Sequence, residues 1–157
     1  MAKSSIIMRK ATEKDISSLL KLVIRLKKLN EEFDPLFKVR DDADIEGEKY
    51  LRSAISSENC LVVVAEESGR IVGMAKVDIK NRIFYTPAVE GHIVDLYIMP
   101  EYRRKALGEK IIGYIISTLK QRVNIITVEF PTANQIAVNF YTKLGFRPVL
   151  SHYVRGE

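Results

Sequence analysis

The stretch IVDLYIMPEYRRKALGEKII, residues 93–112, decides how the 157-residue chain is read. Its first half is rich in β-branched and aromatic residues and ends at Pro100, as a strand would. From Ala106 to about Lys120, Leu107, Ile111, Ile112, Ile115, Ile116 and Leu119 recur at helical spacing and predict the buried face of a helix. Between them Arg103, Arg104 and Lys105 form a basic turn. A helix N-terminus leaves its first N–H groups unpaired and carries the positive end of the macrodipole, so the turn before one is an anion site. Gly108 lets backbone come close, and a pyrophosphate suits the arrangement. Neither the P-loop pattern nor G-x-G-x-x-G is present, which weakens nucleoside triphosphate and dinucleotide readings. An ordinary basic turn ahead of a helix would carry the same residues.

Upstream, residues 5–10 read as a short strand, and a helix runs from Thr12 to about Asn30 with Glu13 and Asp15 in its first turn. A second helix spans about 42–56, with Ile45, Tyr50, Leu51, Ala54 and Ile55 as its apolar face. LVVVAEE (61–67) and IVGMAKVDI (71–79), joined at Ser68-Gly69, form a hairpin, and GHIVDLYIM (91–99) is the next strand. Downstream, VNIITVEF (123–130) is a strand, Asn134–Leu144 a helix with Gly145 at its end, and FRPVLSHYV (146–154) a last strand. The order β-α-α-β-β-β-α-β-α-β describes one α/β domain over residues 1–157.

Hydrophobic residues at 46% and charged residues at 29% exclude disordered and fibrous classes. The lone Cys60 can form no internal disulfide, no signal-like stretch opens the chain, and no apolar run approaches the ~20 residues that span a bilayer. A soluble cytoplasmic protein without a membrane partner is expected. The net charge of +5 is unevenly spread: residues 31–48 hold eight acidic and two basic side chains, so that segment is −6 and the remainder +11.

RRKALG (103–108) resembles the R/Q-x-x-G-x-G/A acyl-CoA signature of the GNAT superfamily of N-acetyltransferases. NQIAVNFYTKLGF (134–146) resembles that family's second signature, and MRKATEKD (8–15) its first strand and the start of its first helix. The resemblance covers nearly the whole chain and implies a mixed, mostly antiparallel sheet with helices on both faces. It implies acetyl-CoA as acyl donor, no metal, and a small-molecule or peptide amine as acceptor. The strand before the signature should be splayed from its neighbour. Backbone of Leu96, Tyr97 and Ile98 would then hold the pantetheine arm, and amides from Arg103 through Arg104, Lys105, Ala106, Leu107 and Gly108 to Glu109 would take the pyrophosphate. Asn134 would bond the pantetheine arm, Phe140 would pack by the cofactor, and Tyr141 would sit near the sulfur and protonate the leaving thiolate. One position departs from the pattern: Ala106 stands where a glycine is usual. Its methyl group fits if the residue has a helical φ.

Each residue also has a plainer reading. Tyr141 and Phe140 could be core, Asn134 an N-cap, and Cys60 a small buried hydrophobe. His92 matches a position where some members of the resembled family carry a carboxylate base, and it is the candidate base here. Asp95 follows three residues later, on the opposite face by strand alternation unless a bulge intervenes. Two rival functions remain open: a CoA-binding sensor without catalysis, and a nucleic-acid module using the +11 remainder. The second lacks aromatic-basic interleaving, helix-turn-helix spacing and zinc ligands. A homodimer is the default assembly. The acidic stretch, with Phe33, Pro35, Leu36 and Phe37 among its charges, points to a cationic acceptor such as a polyamine or peptide amine.

Overall fold

The computed structural model describes residues 5–156. In chain order it contains β1 (Ile6–Lys10), α1 (Ile16–Glu31), α2 (Ala43–Ser56), β2 (Cys60–Glu67), β3 (Arg70–Asn81), β4 (Val89–Ile98), α3 (Leu107–Leu119), β5 (Ile125–Val128) and α4 (Gln135–Lys143). Single 3-10 turns at Glu13–Asp15, Pro35–Phe37 and Pro100–Tyr102 lead into α1, α2 and α3. The five strands lie side by side in sequence order. The pairs β1–β2, β2–β3 and β3–β4 are antiparallel, and β4–β5 is parallel.

Local chemistry accounts for the elements that set this frame. The β2–β3 hairpin turns at Ser68 and Gly69, both with positive φ (49° and 80°), the backbone that a two-residue hairpin needs. At the start of α1, Asp15 accepts the Thr12 N–H at 2.8 Å and both Arg9 guanidinium nitrogens at 2.7 and 2.9 Å. Those Arg9 bonds hold the Asp15 carboxyl below the usual carboxylate range. In α3, Leu107, Ile111, Ile115 and Leu119 form one buried stripe. That stripe covers one face of the sheet, where a Cβ on Gly73 would meet Ile111 at 3.3 Å and one on Gly91 would meet Leu119 at 3.4 Å. α1 and α2 cover the other face, and Lys27 and Tyr50 reach from them to Asp95 of β4.

Three expectations from sequence are corrected. Residues 146–154 form no strand, and Val149, Leu150, Tyr153 and Val154 are exposed. Their apolar residues come in adjacent pairs and do not alternate, so no single face can be buried, and Pro148 removes a ladder donor. The chain therefore shows five strands, with α4 the last regular element. Ile116 and Ile45, expected on buried helix faces, are about half exposed (48% and 57%). The α3 stripe is narrower than a wide apolar face, and Ile45 lies in the exposed first turn of α2.

Candidate active site

Along one side β4 pairs with β3 from Val89 to Ile98, yet along the other it pairs with β5 only from Glu90 to Ile93. The last bond across that seam runs from the Glu129 N–H to the Ile93 carbonyl, at 3.3 Å. Beyond it β5 has ended, at Val128, and β4 runs on to Ile98 unpaired on that side. A register shift in the β3–β4 ladder falls at the same place: Ile93 faces Val77 and Asp95 faces Lys76, so Val94 is an extra residue that bends β4. The backbone of Leu96, Tyr97 and Ile98 consequently presents an edge that no strand among the described residues occupies.

The same bulge reverses the expected facing of His92 and Asp95. His92 lies opposite Asp78 and Asp95 opposite Lys76, and those two β3 residues share a face. Asp95 is fully buried and committed, receiving hydrogen bonds of 2.6 Å from Lys27 Nζ and from the Tyr50 hydroxyl. It ties α1 and α2 to β4 and is no free base. His92 is engaged on the β5 side. Its Nδ1 lies 2.7 Å from Thr127 Oγ1, its Nε2 2.7 Å from Glu129 Oε1, and Thr127 donates to Glu90 Oε2 at 2.6 Å. Sequence reasoning missed Glu90, Thr127 and Glu129. The available signal was two polar residues, Thr127 and Glu129, on one face of the otherwise apolar IITVEF (125–130).

Past the open edge the chain turns into α3. The first bond of that helix runs from the Lys110 N–H to the Ala106 carbonyl at 3.1 Å, so the amides of Leu107, Gly108 and Glu109 have no helical acceptor. The three cations differ in use. Arg103 bends back, donating to the Ile98 carbonyl at 3.0 Å over the Tyr97 ring, and Lys105 lies over the Tyr102 ring. Arg104 is exposed and has no side-chain partner among the described residues. Tyr102 donates a hydrogen bond to Glu67, fixing the turn to the β2 end.

Ala106 does not have the helical φ that would accommodate its methyl group easily. It caps α3 in the left-handed region, at φ 55° and ψ 24°. A side chain there costs about 1–2 kcal/mol. Ala106→Gly should therefore stabilise the fold by about 1 kcal/mol, read as a raised urea midpoint. Gly108, in contrast, is filled from the protein side. A Cβ there would lie 2.9 Å from Phe140 Cζ and 3.1 Å from Ile98 Cδ1, so the glycine lets α4 close on α3 and β4.

Asn134 caps α4, accepting the Ala137 N–H at 3.1 Å. Tyr141 is buried, stacked on Phe130 at 5.3 Å with the edges of Phe140 and Phe146 around it. Its hydroxyl makes no hydrogen bond among the described residues. None of their fully buried side-chain oxygens lacks a partner, so this hydroxyl reaches the surface. Burial raises its pKa above the ordinary tyrosine value, so it stays a proton donor through the neutral range. Cys60 is half-buried beside Asp78, its thiol pushed up by burial and then by that carboxylate.

Residues 26–146 match the Acetyltransferase (GNAT) family. An N-alpha-acetyltransferase of Sulfurisphaera tokodaii is 30% identical over 99 residues, which span 57% of this chain and 59% of that relative. Among solved structures, a protein of Clostridium acetobutylicum described as a predicted acetyltransferase, solved with acetyl-CoA, superposes with TM-score 0.76. It is 20% identical, and the match covers 97% of this chain and 96% of that one. An aminoglycoside antibiotic 6'-N-acetyltransferase of Acinetobacter baumannii gives TM-score 0.77 at 16% identity, over 98% and 99% of the two chains.

Proposed function

The chain belongs to the GNAT acetyltransferase family, and from that membership we propose that it moves the acetyl group of acetyl-CoA onto a primary amine by direct attack. The observation that carries the reading is the unpaired end of β4, Leu96–Ile98, between the β5 pairing that stops at Ile93 and the free amides at the start of α3. The residues fit the donor. The open edge at Leu96–Ile98 can pair with an extended amide-bearing arm. The amides of Leu107–Glu109, with the Arg104 side chain, can take a pyrophosphate. Acetyl-CoA supplies an activated acyl group as a thioester. His92 accepts the proton of the attacking amine, and Tyr141 donates one to the leaving sulfur. Asn134 keeps its capping bond, and Phe140 packs Tyr141 against α3.

For the acceptor we favour a cationic amine, polyamine or peptide. Part of the acidic stretch is spent locally. Asp42 pairs with Arg40, Glu46 with Lys49 and Glu48 with Arg52, while Glu31 and Asp34 accept the Val39 and Leu36 N–H groups. Glu32, Asp41 and Asp44 have no partner among the described residues, and Glu31 and Asp34, bonded only to neutral N–H groups, keep their charge, so these five remain to attract a cation. In the triple variant Glu32→Gln, Asp41→Asn, Asp44→Asn, KM for a cationic amine should rise several-fold and lose part of its salt dependence, with KM for acetyl-CoA unchanged. CoA release across a panel of polyamines, peptides and amino-sugar phosphates tests the class. Faster acetylation of a phosphorylated amino sugar than of any cationic amine would overturn it.

A further inference from the structure

The turn that delivers the free amides of α3 is tied to the β2–β3 hairpin by three links. Met99 donates its N–H to the Val72 carbonyl at 2.9 Å, Arg70 lies 4.0 Å from Glu101, and the Tyr102 hydroxyl donates to Glu67. The Arg70–Glu101 pair is exposed on both sides, and such pairs contribute little. Tyr102, in contrast, is buried, and a hydrogen bond to a carboxylate is roughly twice as strong as one between neutral groups. Glu67 is itself fixed in the sheet, opposite Ile6 of β1 and Arg70 of β3. Its carboxylate pushes the Tyr102 phenol up, so the hydroxyl stays a donor through the neutral range. On the turn side, Tyr102 donates its N–H to the Met99 carbonyl at 2.8 Å and accepts the Lys105 N–H at 3.2 Å. Its ring also carries Lys105 Nζ, 4.9 Å from the centroid. Only residues 103–106 separate Tyr102 from Leu107, where the free amides begin. The last of them, Ala106, has a left-handed backbone that an alanine keeps only where its surroundings hold it there.

We propose that Tyr102, through its bond to Glu67, is a positioning residue for the pyrophosphate of the donor: the bond sets where the 103–106 turn stands against the sheet and so aims the amides of Leu107, Gly108 and Glu109. The inference rests on the acetyl-CoA reading. Amides bind a phosphate group well only when they converge on one place, so a small displacement of the turn costs affinity. Tyr102 touches neither the acetyl group nor the acceptor in this account. The pantetheine arm is served by a different support, because the edge at Leu96–Ile98 is held by the β3–β4 ladder. Loss of the Tyr102–Glu67 bond should therefore weaken one half of the donor and spare the other.

The test compares two donors by NMR titration of the nitrogen-15-labelled protein: acetyl-CoA, and S-acetyl-pantetheine, which has the same arm and no phosphate. In the parent, acetyl-CoA should shift the amide signals of Leu96–Ile98 and of Leu107–Glu109, and S-acetyl-pantetheine those of Leu96–Ile98 alone. Tyr102→Phe removes one oxygen and keeps the ring under Lys105. It should weaken acetyl-CoA about fivefold or more, a share of what a hydrogen bond to a charged group is worth, and shrink the shifts at Leu107–Glu109. The affinity for S-acetyl-pantetheine should stay at the parent's value, whereas a general loosening of the fold would weaken both donors. Glu67→Gln keeps an oxygen for the phenol and Glu67→Ala does not, while both lose the charge. The alanine variant should bind acetyl-CoA several-fold more weakly than the glutamine variant, which supplies the test if Tyr102→Phe does not fold. Unchanged acetyl-CoA affinity in Tyr102→Phe, equal affinities in the two Glu67 variants, or an equal loss for both donors overturns the proposal. A parent whose signals acetyl-CoA does not shift overturns the reading beneath it, a separate outcome.

Discussion

Tyr141→Phe is expected to lower kcat for acetyl transfer by about 10²–10⁴-fold and to leave acetyl-CoA affinity nearly unchanged. The substitution removes one oxygen and no packing surface. The ring stays stacked on Phe130 between Phe140 and Phe146, so urea stability should match the parent. A core tyrosine would behave the same way in stability but would not touch the rate. The pH dependence adds a second check. Burial raises the phenol's pKa, so the donor form persists above the pH at which an exposed tyrosine ionises. The Tyr141-dependent fall in rate should therefore come later than an ordinary tyrosine would place it. A phenylalanine variant with full activity would assign the proton to water or another group.

His92→Gln is expected to cost about tenfold to a hundredfold in kcat, less than Tyr141→Phe, because a neutral amine can lose its proton to water once attack has begun. The loss should be largest at low pH, where the acceptor is fully protonated, and shrink as pH rises past the amine's own pKa. Glutamine can still bond Thr127 or Glu129 but cannot carry a proton away. KM for acetyl-CoA should not move. An unchanged pH–rate profile would make His92 a structural link between β4 and β5 and nothing more.

What could be read in the sequence divides along a physical line. Features fixed by neighbours in the chain were legible: the hairpin at Ser68-Gly69, the α3 stripe, the Asn134 cap, the left-handed Gly145 after α4. Both motif segments, RRKALG and NQIAVNFYTKLGF, carry their spacing in the chain itself. Features set by cross-strand register were hidden. Nothing near Val94 announces the bulge that turns His92 and Asp95 to one face, because it is a mismatch with β3. Glu129 and Thr127 lie 37 and 35 residues from His92 and meet it only through the β4–β5 ladder. The charge count over 31–48 was correct, but it could not show which carboxylates were already held by Arg40, Lys49, Arg52 or backbone amides. The missing strand at 146–154 has a similar cause: β propensity is realised only against a partner edge.

The open edge of β4 and the start of α3 should bind acetyl-CoA, and thermal unfolding with and without it tests this most directly. At ~100 times its dissociation constant the ligand should stabilise the fold by about 2.7 kcal/mol, a rise in Tm of roughly 5–10 °C for a chain of this size. Arg104→Ala should shrink that rise by weakening the pyrophosphate end. A Tm unmoved by acetyl-CoA but raised by an oligonucleotide would contradict the account.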